Sequence, residues 1–313
     1  MGVSNLNLNK MYIGDSIELC KKIPDNYVNL LVTSPPYADI KSYGDAVNVF
    51  HPDQYVDWVI PLFQEASRFL CDDGSLIFNV NDKVMNGKRH TYVFELVYRV
   101  VKETNLYLHD RYIWGKKNGM PSGSEPRRLD DRIEWIFHFV PKVFGSNGKE
   151  LKKPNKFKAN LKGLREPHVP ITLVRNKKPS SGNKITNSDG TAQYERKIKL
   201  PNPDGRIPTT VFGFNNAACL PKDSASVRHP APFHPEIPEW FIDWLTDEGD
   251  VVLDPFMGSG STALAAQTLN RNWIGFDLNE TYKELTEQRL NETYNSHVQK
   301  RDENGNLTNR YTL

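Results

Sequence analysis

The sequence predicts an α/β fold in three layers, a Rossmann-like and mostly parallel sheet covered by helices on both faces. Three observations lead there. Short apolar runs, among them Val28–Val32, Ser75–Val80 and Val251–Leu253, read as strands buried on both sides. Segments with apolar residues at helical spacing alternate with them, the pattern of a helix-covered sheet. The stretch VVLDPFMGSGSTALAAQTLNRNWIGFD, residues 251–277, runs strand, glycine turn, helix, strand, acid, which is the order of a nucleoside-holding unit.

Taken in order, Tyr12–Gly14 form a short strand stopping at Asp15, and Ser16–Lys22 suits one or two helical turns. Val28–Val32 runs into Thr33-Ser34-Pro35-Pro36-Tyr37. Two consecutive prolines cannot continue a central ladder, so the chain leaves the sheet there on a stiff backbone. Open α/β sheets place ligands at such carboxyl ends. Ala38–Pro52 reads as a mobile or substrate-covering loop. Asp53–Leu70 is an amphipathic helix for which Pro61 predicts an opening short turn and a kink. Asp72-Asp73-Gly74 predicts a turn into the strand Ser75–Val80, with Asn79, Asn81 and Asp82 at its end. A helix, Tyr92–Lys102, precedes two strands, Leu106–Trp114 and Arg132–Val140, separated by a glycine- and proline-marked exposed loop. Between Pro141 and Pro208 periodicity is weak. Val169–Val174, Tyr194–Leu200 and Thr209–Phe214 supply strand-like residues for a small irregular domain. Pro235 opens a helix carrying Ile237, Trp240, Phe241, Trp244 and Leu245, and Glu280–Tyr294 forms the last one. No internal repeat is present.

With 313 residues the chain can form one large core plus a smaller domain. Its apolar runs are too short to span a bilayer, and MGVSNLNLNK lacks the apolar stretch of a signal peptide. Cys20, Cys71 and Cys219 are odd in number and far apart, which argues against a disulfide framework or thiolate metal site and fits a reducing cytosol. Net charge is only +2, but Lys142–Lys199 holds 15 Lys/Arg against 4 Asp/Glu. That block carries +11 and the remainder −9, so a polyanion would be drawn to it.

Within 251–277, Gly258, Gly260 and Ala263 match GxGxxA, and Asp277 lies where an acid can take ribose hydroxyls. A dinucleotide is one reading of this segment. Asp254 opposes it, because a carboxylate at the mouth of the turn repels a pyrophosphate and favours an ammonium group. S-adenosylmethionine, a cationic nucleoside with an amino-acid tail, fits that charge pattern.

TSPPY at 33–37 and DPFMGSGST at 254–262, with WIGFD at 273–277 and RHPAPFHPE at 228–236, resemble in this order the beta group of amino-directed DNA methyltransferases. The resemblance spans roughly Tyr12–Gln288 apart from the basic insertion. It implies a Rossmann-like methyltransferase fold divided into a catalytic half (1–141), a basic target-recognition region (142–208), a cofactor-binding half (209–296) and a tail (297–313). Residue by residue, it implies that Ser34 and the Pro35 carbonyl accept hydrogen bonds from the target's exocyclic amine. Pro36 would stiffen that loop, and Tyr37 would stack on the extruded base. Asp254 would meet the methionine amino group of S-adenosylmethionine, Phe256 would shape the adenosine wall, Gly258 and Gly260 would admit the tail, and Pro255 and Ser259 would count among the cofactor-binding residues. Asp277 would bind the ribose, with His229 and Phe233 as the floor. Asp15 matches an early acidic position near the adenine, although an Asp after a strand is ordinarily a turn or cap residue. No metal is implied. Ser at position 34 resembles the cytosine-N4 group; a hydroxyl can accept one hydrogen bond and donate another, which suits cytosine's neighbouring ring nitrogen. Adenine-N6 transfer is the alternative, with a nicotinamide oxidoreductase or a non-catalytic DNA-binding module behind it. The expected partner is double-stranded DNA, read by 142–199 and by the loop Lys116–Arg128, and any cognate restriction endonuclease would be encoded separately.

Overall fold

The computed structural model describes residues 6–38, 51–116, 129, 131–144, 146–150, 157–161, 163–168, 185–186, 192–193, 202–214 and 233–297. Most of the basic block, the loop after Lys116, residues 39–50, His229, Cys219 and the tail beyond 297 lie outside them.

Its strands are β1 (Lys10–Ile13), β2 (Val28–Thr33), β3 (Leu70–Val80), β4 (Val84–Met85), β5 (Lys88–Arg89), β6 (Leu106–Lys116), β7 (Ile133–Pro141), β8 (Ile185–Thr186), β9 (Ala192–Gln193), β10 (Val211–Phe214), β11 (Val251–Asp254) and β12 (Asn272–Asp277). The helices are α1 (Ser16–Cys20), α2 (Pro52–Phe69), α3 (Tyr92–Glu103), α4 (Glu236–Leu245), α5 (Ser261–Thr268) and α6 (Glu280–His297). Eight strands form one sheet in the order β1-β12-β11-β2-β3-β7-β6-β10, and the pairs β4-β5 and β8-β9 are separate. β7 pairs antiparallel with β3 and with β6, while the other neighbours in the large sheet are parallel.

Alternation along each central strand explains the three layers. Leu31, Leu76, Phe78, Val251, Leu253, Ile274 and Phe276 pack in a cluster with the buried faces of α2 and α3. Their neighbours Leu30, Val32, Ile77, Val252 and Trp273 enter a second cluster with Ile237, Trp240, Phe241, Ala263 and Leu285 from α4, α5 and α6. Because successive side chains point to opposite faces, a strand covered on both sides must be apolar throughout.

Three expectations are corrected here. Asp72-Asp73-Gly74 is not a turn before a strand: β3 is continuous from Leu70, and the segment takes up a register shift against β2 between Val28 and Leu30. A side chain at Gly74 would meet the Cys71 carbonyl at 2.9 Å and the Asn29 carbonyl at 3.0 Å, so the irregularity admits only glycine. No separate short turn opens α2: Pro61 sits inside one continuous helix that a His51 N-cap and an N-terminal proline begin. Thr209–Phe214 does not belong to a separate small domain, since β10 extends the main sheet beside β6. Val169–Val174 and Tyr194–Leu200 lie outside the described residues.

Phe63 of α2 is fully buried, with its ring 5.0 Å from Phe78 and 5.5 Å from Phe139. Phe63→Ala should therefore cost about 3–5 kcal/mol through lost burial and the cavity left behind. Urea unfolding of the two proteins measures it, and a loss below about 1 kcal/mol would show that this interface collapses to fill the space.

Candidate active site

Strand order reverses between β11 and β2: from β11 the chain order runs outward to β12 and β1 on one side, and to β2 and β3 on the other. Such a switch opens a crevice at the carboxyl ends of the strands. Both motif loops leave the sheet at this point. Leu253 lies opposite Leu31 in the β11-β2 ladder, which puts the ends Asp254 and Thr33 side by side. Thr33 Oγ1 donates to Asp254 Oδ1 at 2.6 Å, Thr262 Oγ1 donates to Oδ2 at 2.6 Å, and the Phe256 amide donates to Oδ1 at 3.0 Å.

Asp254 is only 2% exposed. Its carboxylate does not stand at an open mouth; it clamps the TSPPY loop, the DPF turn and the start of α5 together. Burial, outweighing those three hydrogen bonds, raises its pKa from 3.8 to about 6. A second tie comes from α1, where buried Ser16 donates to the Pro255 carbonyl at 2.5 Å. Asp15 is the N-cap of that helix, accepting from the Ile17 and Glu18 amides through Oδ1, so the ordinary cap role is the one seen.

The glycine turn is held from three directions. The Met257 amide donates to the Phe276 carbonyl at 2.8 Å, and the Gly258 amide donates to Asp277 Oδ2 at 2.9 Å. Asp277 also accepts from the Asn279 amide through Oδ1, and burial raises its pKa. From α6, buried Arg289 donates to the Ser259 carbonyl at 3.1 Å and to Ser261 Oγ at 2.9 Å. Gly260 has φ +80°, and a Cβ there would sit 2.6 Å from the Thr286 methyl. Only glycine satisfies both the left-handed backbone and the close pass of α6. Phe233 is half-buried at the same end, its carbonyl accepting from Ser261 Oγ at 3.0 Å. Phe256 is half-buried with its ring 5.5 Å from Trp58 of α2.

Beyond Thr33, Pro35 is buried while Ser34, Pro36 and Tyr37 are half-buried. Tyr37 turns its hydroxyl into a polar cluster, 3.0 Å from Ser34 Oγ, 2.6 Å from Glu134 Oε2 and 2.5 Å from Asn79 Nδ2. Asn79 Nδ2 lies 2.7 Å from Glu134 Oε2, and Lys116 Nζ is 2.6 Å from Glu134 Oε1. Asn79 closes β3, Lys116 closes β6, and Glu134 opens the antiparallel β7. All three therefore reach the same edge as Ser34 and Asp254.

The geometry brings Ser34, Pro35, Pro36, Tyr37, Asp254, Pro255, Phe256, Gly258, Ser259, Gly260 and Asp277 to one end of the sheet, with Phe233 beside α5. His229 lies outside the described residues. Sequence reasoning missed Thr33, Thr262, Ser16, Trp58, Glu134 and Arg289, and it assigned Lys116 to a DNA-reading loop, whereas its ammonium pairs with Glu134. Glu134 carried a signal, a lone acid entering an apolar strand; Thr33 lay inside the quoted motif.

A family model described as DNA methylase matches residues 28–288. The chain belongs to the N6/N4 DNA methylase family. Among relatives, the type II methyltransferase M.PvuII of Proteus hauseri is 27% identical over 91% of this chain and 87% of its own length. M.BglII of Bacillus subtilis is 27% identical over 98% and 74%. Among solved structures, PvuII DNA methyltransferase (cytosine-N4-specific) superposes with TM-score 0.64 at 22% identity, covering 96% of this chain and 94% of that one. A DNA modification methylase from Thermus thermophilus, complexed with S-adenosyl-L-methionine, superposes with TM-score 0.55 at 21% identity over 90% and 93%. The chain is thus a DNA methylase by family, and S-adenosyl-L-methionine is the group held by the Thermus thermophilus structure. The residues fit that group: a turn without side chains at Gly258 and Gly260, a half-buried aromatic at Phe256, and a carboxylate closing the next strand. Among the described residues no His/Cys/Asp/Glu group could hold a metal ion, and no helix is long and apolar enough to cross a membrane. Cys20 is buried and Cys71 half-buried, both as free thiols.

The raised pKa of Asp254 sets a pH dependence. Between about pH 4 and 6 the folded chain binds a proton that the unfolded chain does not, so this group's contribution to stability rises as pH falls through that window. Measured by urea unfolding, wild type should gain about 2–3 kcal/mol relative to Asp254→Asn between pH 7 and 4. A difference that stays flat would mean that the clamp carboxylate titrates like an exposed one.

Proposed function

We propose that this enzyme moves a methyl group to the exocyclic N4 amine of a cytosine extruded from duplex DNA. The observation that carries the reading is the Thr33–Asp254–Thr262 clamp, which holds Ser34 next to the glycine turn. An exocyclic amine is a poor nucleophile because its lone pair conjugates with the ring. Acceptors that hold its N–H groups aim that lone pair, and we assign that role to Ser34 Oγ and the Pro35 carbonyl. S-adenosylmethionine supplies an electrophilic methyl on a sulfonium. The nitrogen–carbon bond would form as the carbon–sulfur bond breaks in line, S-adenosylhomocysteine would leave as the neutral thioether, and the methylated amine would pass one proton to solvent water. Tyr37, anchored by its hydroxyl, offers its ring to the flipped base. Phe256 backed by Trp58 is the adenosine wall, Phe233 contributes to the floor with His229, and Asp277 faces the ribose. Asp254 already accepts three hydrogen bonds, so we assign it the clamp and the negative field that favours the methionine ammonium.

For cytosine over adenine, a neutral hydroxyl at position 34 and the likeness to a cytosine-N4-specific structure give support. We assign 1–141 and 209–296 to the catalytic and cofactor halves, with β10 lying on the catalytic side of the sheet. Residues 142–208 would be the DNA-reading region, their positive charge attracting phosphates. A reducing cytosol and a separately encoded endonuclease complete the proposal.

Incubation with labelled cofactor and mixed-sequence duplex DNA, followed by nucleoside mass analysis, should yield N4-methylcytosine; N6-methyladenine would overturn the base assignment. Ser34→Ala should slow methyl transfer about 10-fold or more with cofactor affinity preserved, and Asp277→Ala should weaken cofactor binding by a similar factor. Equal effects of each substitution on both quantities would overturn the division of roles.

A further inference from the structure

Ser34 Oγ serves the target amine only as an acceptor, yet a hydroxyl can equally donate, and a donor there would oppose the amine's own N–H groups. What decides its direction lies behind it. Glu134 is buried and paired through Oε1 with the Lys116 ammonium, and a carboxylate can only accept. Its Oε2 lies 2.6 Å from the Tyr37 hydroxyl, which has one proton to give. Asn79 Nδ2, 2.5 Å from that hydroxyl, is a donor and cannot take the proton instead. With its proton committed to Glu134, Tyr37 can only accept from Ser34 Oγ at 3.0 Å. Ser34 then directs its own single proton to Tyr37; Asn79 Nδ2 lies 3.3 Å from Ser34 Oγ, but its two hydrogens already go to the shorter contacts with the Tyr37 hydroxyl and Glu134 Oε2.

We propose that Glu134 is a positioning residue for methyl transfer: acting through Tyr37, it sets the direction of a hydrogen-bond chain so that Ser34 presents only lone pairs to the target amine. The proposal rests on the reading of Ser34 as the amine's acceptor. It also revises one expectation, because the donor capacity that a free serine could offer to a ring nitrogen is already used by Tyr37.

Glu134→Gln tests it by reversal rather than deletion. Lys116 holds the glutamine carbonyl, so the amide NH2 faces Tyr37. Read in an Asn79→Leu background, where no neighbouring amide can turn its oxygen to take the proton, the tyrosine then accepts there and donates to Ser34, and Ser34 turns its proton into the pocket. Single-turnover methyl transfer to duplex DNA should fall about 10- to 100-fold while cofactor affinity stays within about twofold. Tyr37→Phe keeps the ring but cuts the chain, leaving Ser34 free to turn either way, and should slow transfer only a few-fold. The distinguishing outcome is the double variant: without the Tyr37 hydroxyl the reversed amide has nothing to act through, so Glu134→Gln with Tyr37→Phe should recover the rate of Tyr37→Phe alone. A Glu134→Gln enzyme at the rate of its Asn79→Leu parent, or a double variant as slow as Glu134→Gln, overturns the proposal. If Glu134→Gln fails to fold, Tyr37→Phe decides alone, and an unchanged rate in it overturns the proposal. Ser34→Ala separates the two levels: a wild-type rate there sinks the acceptor reading itself, whereas a slow Ser34→Ala beside a normal Glu134→Gln sinks only the chain behind it.

Discussion

One buried carboxylate ties the molecule together. Asp254 ends β11 at the place where strand order reverses, and it receives hydroxyl protons from both sides, Thr33 at the end of β2 and Thr262 at the start of α5. The two motif loops are far apart in the chain, as the Thr33–Asp254 separation of 221 residues shows. Parallel pairing of β2 with β11 brings them to the same edge, but a ladder alone sets only the strand ends. The clamp continues the alignment past the last ladder pair, into backbone that has already left the sheet. Its carboxylate is buried at a cost visible in its raised pKa, which is the usual sign of a charge retained for a purpose other than stability.

The fold was largely readable from the sequence because parallel strands covered on both faces leave a strong apolar signature. Val28–Thr33, Val251–Asp254 and α2 emerge within a residue or two of where periodicity placed them. Errors fell where local chemistry and tertiary pairing disagree. Asp72-Asp73-Gly74 has the composition of a turn, yet the neighbouring strand β2 draws it into β3 as an irregularity. Thr209–Phe214 is too short to announce its partner, and only the exposed edge of β6 makes it a sheet strand.

The site was readable to the extent that its residues sit in contiguous motifs. TSPPY and DPFMGSGST mark themselves, but the groups that orient them are scattered over β3, β6, β7, α1, α2 and α6. Glu134 illustrates the difficulty. It is an acid at the start of a strand, and its importance follows from β7 running antiparallel, which brings an amino-terminal residue to the edge where every parallel strand presents its carboxyl end. Strand direction is not written in composition. Asp254 shows the converse: its position was plain, but that it faces inward onto two threonines depends on the β2-β11 register.

The distribution of charge across the crevice also follows the movement of charge in the reaction proposed for it. In that proposal the positive charge would belong before transfer to the sulfonium, near the glycine turn and the carboxylates Asp254 and Asp277, and would spread during transfer onto the nitrogen assigned to Ser34. An environment complementary to the transition state must therefore become more favourable to positive charge on the Ser34 side as the bond forms. A lone pair on Ser34, backed by Tyr37 and ending on Glu134, strengthens as the N–H groups it holds become more acidic, because each bond in a directed chain polarises the next. Lys116 moderates the same carboxylate, so a neutral base enters a pocket without a large uncompensated charge. An acceptor chain ending on a paired carboxylate thus favours the developing cation more than the neutral ground state.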